Sequence, residues 1–315
     1  MSKIAFIYPG QGAQKAGMGA DFYENSEIAR YIFDQAGEEL DLDMKELCFE
    51  ENDRLDLTEY TQAAMVTTCL AMTRVAESKG LKADITSGLS LGEYPAIAAA
   101  GGMNDMDAIR LVRKRGILMQ NTVPAGEGAM CAVISMAVEE IEKVIEPIAD
   151  VSVANYNCPG QIVITGKTDA VEEAAAKLKE AGARRTIMLN VSGPFHSQML
   201  VPAGEKLAEE LEHTRFHELR IPYVTNVTAE KVTDIRETPG LLTTQISSPV
   251  RWMQSMERMI ADGVDTFVEI GPGKTLEGFL RKIDRSVKVF HISQWEDVDK
   301  VCEKLADGGN RMEES

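Results

Sequence analysis

Apolar positions along the chain come in two rhythms, short continuous runs and longer stretches at helical spacing. KIAFIY at 3–8 is a continuous run that ends in the glycine-rich PGQGAQKAGMG, the pattern of a buried strand closing on a turn. From there to about residue 80 the mixed polar and apolar pattern predicts helix. Its clearest amphipathic segment is TQAAMVTTCLAMTRVAESKG at 61–80, with Gly80 as the C-cap. ADITSGLSLG (83–92) and NDMDAIRLVRKRGILMQN (104–121) follow, and then TVPAGEG (122–128), a Pro- and Gly-containing loop suited to a boundary. Between 129 and 190 the order is strand AMCAVI, helix VEEIEKVIEPI, strand VSVANY, strand QIVITG, helix DAVEEAAAKLKEAG and strand RRTIML. This βαββαβ series is the signature of a ferredoxin-like subdomain. Beyond it come VSGPFHSQML, a helix to about 212, IPYVTNVT, a further helical region, and the strands DTFVEIG and VKVFHIS, so an α/β parent resumes. The chain is therefore divided into an α/β domain of residues 1–125 and 191–315 and an inserted subdomain of residues 126–190. The last ten residues, ADGGNRMEES, read as frayed.

Composition narrows the partners. A formal charge of −17 over 315 residues argues against nucleic acid and anionic membrane surfaces, which are bound mainly by basic clusters. Cys48, Cys69, Cys131, Cys158 and Cys302 are odd in number and show no C-x-x-C spacing, so neither a disulfide framework nor a zinc site is expected. With no leader-like N-terminus and no apolar run long enough to span a bilayer, a cytoplasmic location is expected.

Three motifs fall short of their patterns. GQGAQK at 10–15 stands where a dinucleotide fingerprint would, but Lys15 occupies the third glycine position. GPGKT at 271–275 ends like a phosphate-binding loop, yet Val268 replaces the required first glycine. His213 and His217 are four apart on an expected helix, but no third ligand is suggested and EELEHTRFHELR reads better as a solvated face.

GLSLG at 88–92 matches the G-x-S-x-G elbow, preceded by strand-like DIT and followed by an alanine-rich helical stretch. Such a turn exposes a serine hydroxyl, and Gly88 and Gly92, having no Cβ, permit the tight turn. Ser90 is thus a candidate nucleophile in need of a base. Pro95 in the following helix is expected to cost about one backbone bond. Of the four histidines, His291 follows a strand near the C-terminus, with Asp265 or Glu269 as a possible acid, and His196 lies in the loop SGPFHSQML. Local sequence favours His196 only modestly.

In AIRLVRKRGILMQ a helical projection puts Ile109, Val112, Arg115, Gly116 and Met119 on one core-facing stripe. A guanidinium there must snorkel, pair with a protein carboxylate, or meet an anionic ligand. Beside an acyl-transfer serine, the third option becomes specific: a planar fork for a free carboxylate on the acyl group.

Taken together, FIYPGQGAQKAGMG, GLSLGEY, VRKRGILMQ, NYNCPGQIVITG, GPFHS and QISSPVRW occur in family order. Over nearly its whole length the chain resembles the malonyl-coenzyme A:acyl carrier protein transacylases of bacterial fatty acid synthesis. The resemblance implies an α/β-hydrolase-like large domain with the ferredoxin-like insert, Ser90 as nucleophile, His196 as base, and Arg115 as holder of the malonyl carboxylate. It further implies that the backbone carbonyl of Gln245 orients His196, and that the backbone amides of Gln11 and Leu91 form the oxyanion hole. Met119 joins Arg115 in the substrate site, and Phe195 beside the base would crowd an α-methyl branch, so malonyl is expected over methylmalonyl. No cofactor is expected, coenzyme A thioester being a substrate, and the partners are malonyl-CoA and holo acyl carrier protein, with the chain a monomer. VRKR, ARRT and RKIDRSVK are candidate basic patches for an acidic carrier. Leu89 departs from the family, which commonly has histidine before the nucleophile. A malonyl acyltransferase acting in trans on a polyketide synthase would share all these residues. A serine esterase would share the elbow without needing Arg115.

Overall fold

The computed structural model describes residues 2–310. Strand β1 (Ile4–Tyr8) leads into helices α1 (Ala20–Asn25), α2 (Glu27–Leu40), α3 (Met44–Phe49) and α4 (Thr58–Ser78), then β2 (Ile85–Gly88), α5 (Glu93–Ala99) and α6 (Asp105–Thr122). A middle section holds β3 (Gly128–Ile134), α7 (Val138–Ile145), β4 (Val151–Cys158), β5 (Gln161–Lys167), α8 (Thr168–Glu180) and β6 (Arg185–Met188). The chain continues through α9 (Val201–Glu212), β7 (Tyr223–Val224), β8 (Lys231–Val232), α10 (Thr238–Gln245), α11 (Trp252–Ala261), β9 (Thr266–Ile270), α12 (Thr275–Ile283), β10 (Lys288–Ile292) and α13 (Trp295–Asn310). Since α13 reaches Asn310, residues 306–310 are helical rather than frayed, and residues 311–315 lie outside the described residues.

The larger sheet runs β10-β9-β1-β2-β7-β8, with every neighbouring pair parallel except the antiparallel β7–β8. Register Tyr8↔Gly88 brings the turns after β1 and β2 side by side at the carboxyl edge. Burial of β1 from Ala5 to Tyr8 between neighbouring strands explains why KIAFIY reads as a continuous apolar run. The smaller, antiparallel sheet has the order β4-β5-β3-β6, which is the ferredoxin-like arrangement of a βαββαβ unit. Its strands alternate as period two requires. Met130, Ala132 and Val163 join the main core, while Cys131, Val133, Ile162 and Ile164 pack with residues of α7 and α8.

The segment at 61–80 differs from its expected amphipathic character. Helix α4 is buried nearly all round, its threonines and Gln62 included, because other helices and the sheet enclose it. Gly80, at φ 90°, ends it as expected. Helix α6 lies close against α4, since a Cβ on Gly116 would stand 2.8 Å from the carbonyl oxygen of Thr58. That contact aims the buried face of α6, with Arg115, at the first turns of α4, where Gln62 lies.

Candidate active site

Ser90 sits at the turn between β2 and α5 with φ 56°, a left-handed conformation costing an L-residue roughly 1–2 kcal/mol. Both flanking glycines are required by space: a Cβ on Gly88 would lie 1.8 Å from the Gly92 oxygen, and one on Gly92 would lie 2.4 Å from the Tyr8 oxygen. Side chains from distant segments hold the strained residue. Its N–H donates to Asn226 Oδ1 at 2.7 Å, and its carbonyl accepts from Gln245 Nε2 at 3.0 Å. Pro95 does not cost the expected bond, because it lies in the first turn of α5, where the N–H has no intrahelical acceptor.

His196, also left-handed at φ 61° and only 4% exposed, places Nε2 2.8 Å from Ser90 Oγ. Its Nδ1 lies 2.9 Å from the backbone oxygen of Gln245. A carbonyl can only accept, so Nδ1 carries the hydrogen and Nε2 presents a lone pair to the serine hydroxyl. Burial, reinforced by the positive charge of Arg115, pushes the imidazole down to about 4, leaving it neutral near pH 7 with the Nε2 lone pair free. His291 is elsewhere: on β10, its Nδ1 faces Glu277 at 3.5 Å. The alternative acids are also engaged elsewhere. Glu269 accepts from the N–H groups of Leu276 and Glu277, and Asp265 accepts from Thr266 Oγ1 at 2.8 Å. The carboxylate of Glu269 thereby fills the N-terminus of the helix that GPGKT introduces, where a phosphate-binding loop would hold its phosphate.

Arg115 is fully buried. Nη1 donates to Gln62 Oε1 at 2.7 Å, and Nη2 donates to Ser90 Oγ at 3.0 Å and Gln245 Oε1 at 3.1 Å. The guanidinium carbon stands 5.8 Å from the centre of the Tyr94 ring. Every hydrogen bond it makes among the described residues ends on a neutral oxygen, and its Nε has no partner there. Burial lowers its pKa, yet a guanidinium keeps its charge at any ordinary pH. The result is a desolvated cation beside a serine that is hydrogen-bonded to a neutral histidine.

The other expected site residues surround this group. Met119, one turn beyond Arg115, lies with its sulfur 3.5 Å from Gln62 Nε2. Phe195 is buried in the main core next to the base. Gln11 follows β1, its side chain donating to Thr58 Oγ1 at 3.1 Å, and Leu91 follows the serine. The backbone N–H groups of Gln11 and Leu91 donate no hydrogen bond among the described residues. Two expectations change. Helix α9 stops at Glu212, so His213 and His217 share no helix, and His217 is half-buried with Nε2 unpaired among the described residues. In VRKR, Arg113 and Lys114 are already paired with Glu59 and Glu210.

Comparison with known proteins gives the family. The acyl transferase domain model matches residues 5–296. A malonyl CoA-acyl carrier protein transacylase of Bacillus subtilis is 43% identical over 310 residues, covering 97% of this chain and 98% of its own. The chain belongs to this transacylase family. Among solved structures, the malonyl CoA-acyl carrier protein transacylase of Clostridium perfringens superposes with a TM-score of 0.95 at 42% identity, over 99% of this chain and 100% of its own. Another, at 35% identity and a TM-score of 0.93 over 96% of this chain and 100% of its own, is a malonyl-transacylase in complex with a holo type II polyketide acyl carrier protein.

Leu89, where the resemblance implies histidine, has a packing account. Its side chain is partly buried against the apolar cluster of Ile7, Ile85 and Trp252, and a Cβ on Gly10 would meet Leu89 Cδ2 at 2.6 Å. Sequence reasoning missed Gln62, Glu93 and Asn226, all buried polar residues that touch Arg115, Gln245 or the elbow. For Glu93, a carboxylate heading the apolar stretch EYPAIAAA was the available signal. Gln62 and Asn226 carried none, since their partners are distant in sequence.

Proposed function

We propose that this transacylase moves a malonyl group from malonyl-CoA to the phosphopantetheine thiol of an acyl carrier protein through an ester on Ser90. The observation that carries the reading is the single hydroxyl, Ser90 Oγ, hydrogen-bonded both to a neutral His196 and to a fully buried Arg115 that lacks a carboxylate partner. In the first half-reaction the malonyl carboxylate meets the guanidinium, His196 Nε2 takes the Ser90 proton, and Oγ attacks the thioester carbonyl. The N–H groups of Gln11 and Leu91 receive the developing oxyanion. As the C–S bond breaks, the proton on Nε2 passes to the coenzyme A sulfur. In the second half, Nε2 takes the proton of the carrier thiol, the sulfur attacks the ester, and the proton returns to Ser90 Oγ. One thioester replaces another, so the exchange runs readily in both directions.

Gln245 serves in place of a triad acid, through its backbone oxygen. Met119 and Phe195 wall the acyl site, with Phe195 favouring malonyl over a branched homologue. The site is built from one chain, which suits a monomer, and no step needs a cofactor. The free state of all five thiols suits the reducing cytoplasm. Among the described residues no helix is long and apolar enough to cross a membrane. The middle section from 126 to 190 acts as an inserted subdomain that packs Met130, Ala132 and Val163 into the main core. An acidic carrier would approach the exposed Arg184 and Arg185 of ARRT more readily than the paired cations of VRKR.

The test is incubation with malonyl-CoA and holo acyl carrier protein, followed by intact-mass measurement of the carrier. Malonylated carrier that appears with wild-type protein and not with Ser90→Ala supports the reading; equal yields from both would remove Ser90 from it.

A further inference from the structure

Glu93 is wholly buried, three residues after the nucleophile, in a position the chemistry above does not use. One of its oxygens, Oε2, accepts from Gln245 Nε2 at 2.6 Å and from the Asn226 backbone N–H at 3.1 Å. Both donors belong to residues that grip the elbow. Asn226 also receives the Ser90 N–H on Oδ1 and donates through Nδ2 to Gly88 O at 2.7 Å. Gln245 donates to Ser90 O, accepts from Arg115 on Oε1, and offers its backbone oxygen to His196.

A side-chain amide can sit either way round, presenting NH₂ or oxygen on a given side. Because two donors converge on Glu93 Oε2, that oxygen acts only as an acceptor, whichever protonation state the carboxyl adopts. Together with Ser90 O, the longer of the two contacts, it draws the NH₂ of Gln245 to this side, which leaves Gln245 Oε1 facing the guanidinium. The reversed amide would set NH₂ against Arg115 Nη2, donor against donor. We propose that Glu93 is a positioning residue that fixes the Gln245 amide and, through it, the orientation of Arg115 that lets the site select a carboxylate-bearing acyl group. This rests on the acyl-transfer reading above.

The experiment compares acylation of Ser90 by malonyl-CoA and by acetyl-CoA, as kcat/KM for each, in wild type and in Glu93→Ala, Glu93→Asp and Glu93→Gln, with thermal melting run alongside. Ala removes the acceptor, and Asp withdraws it by one methylene while keeping the charge. Gln retains a carbonyl oxygen within reach. The malonyl-to-acetyl ratio is expected to fall about tenfold or more in Ala and Asp, and to stay within about threefold of wild type in Gln. Rescue by Gln is the readout that a merely structural role would not give. An equal loss on both thioesters in Ala and Asp would overturn the proposal, as would a ratio in Gln that falls with theirs. Should Ala not fold, Asp against Gln decides alone. Failure of wild-type protein to form any malonyl ester on Ser90 would instead strike the acyl-transfer reading itself.

Discussion

Two arginines on neighbouring helices, Arg74 half-buried and Arg115 fully buried, show how differently one cation can be kept. Arg74 on α4 donates through Nε and Nη2 to both oxygens of Asp105, through Nη1 to Glu77 at 2.7 Å, and to Ala98 O. Its pKa is raised by these carboxylates despite burial. Arg115 on α6 is more deeply buried, meets only neutral oxygens, and has its pKa lowered by desolvation. The first is a structural ion pair that holds α4 to the start of α6. The second keeps a desolvation cost that nearby Glu93 offsets only in part and that an incoming anion would relieve by direct contact. Position on a helix face does not separate the two; the presence of a carboxylate does.

That contrast breaks most easily at Arg115. Arg115→Ala should lower malonyl transfer by about a hundredfold or more, because a substrate carboxylate would then be buried without a partner. Acetyl transfer should be far less affected, and any fall in melting temperature should come from the vacated space and the charge felt by buried Glu93, not from a broken ion pair. Steady-state kinetics with both thioesters and a thermal melt check this together. Arg74→Ala should do the reverse. It leaves Asp105 and Glu77 without their cation at a partly buried site, costing about 1–3 kcal/mol of stability by denaturant titration, with activity per folded molecule unchanged. If the two variants behaved alike, the distinction between paired and unpaired cation would fail.

A smaller effect appears in the pH profile. Burial first, and then the Arg115 charge, disfavour the imidazolium, so His196 stays neutral until pH falls to about 4. Acylation should thus be level through the neutral range and lost as pH drops through that value. Arg115→Met removes one of the two causes, and the midpoint measured with acetyl-CoA should move upward. A midpoint at the ordinary histidine value in wild type would contradict the buried, cation-flanked geometry. Least of all, Leu89→His should cost about 1 kcal/mol by exchanging apolar packing for a polar ring, and should change malonyl transfer by less than about threefold.

Much of this is legible in the sequence alone. β1 and its turn, the elbow, the βαββαβ series and the inward-facing Arg115 each follow from local spacing, because strand and helix periods act over a few residues. The choice of His196 over His291 needed the family resemblance, as local sequence scarcely separates the two. What stayed hidden depends on contacts across the chain. Helix α4 looked two-faced, but its polar threonines are buried because other elements enclose it on every side. Asn226 and Gln62 look like ordinary polar residues until the fold brings them to Ser90 and Arg115. The end of α9 at Glu212 agrees with the helix read to about 212, and it leaves both His213 and His217 beyond the helix, so their four-residue spacing carries no shared face.

The central claim is that Ser90 carries the acyl group while Arg115 holds its carboxylate. The most direct measurement is brief incubation of the folded protein with malonyl-CoA, acid quench, and peptide mass spectrometry of the segment containing Ser90. The account predicts a malonyl ester on Ser90, discharged when holo acyl carrier protein is added and formed far less readily in Arg115→Ala. An unmodified Ser90 peptide from active protein, or an ester formed equally well without the arginine, would contradict it.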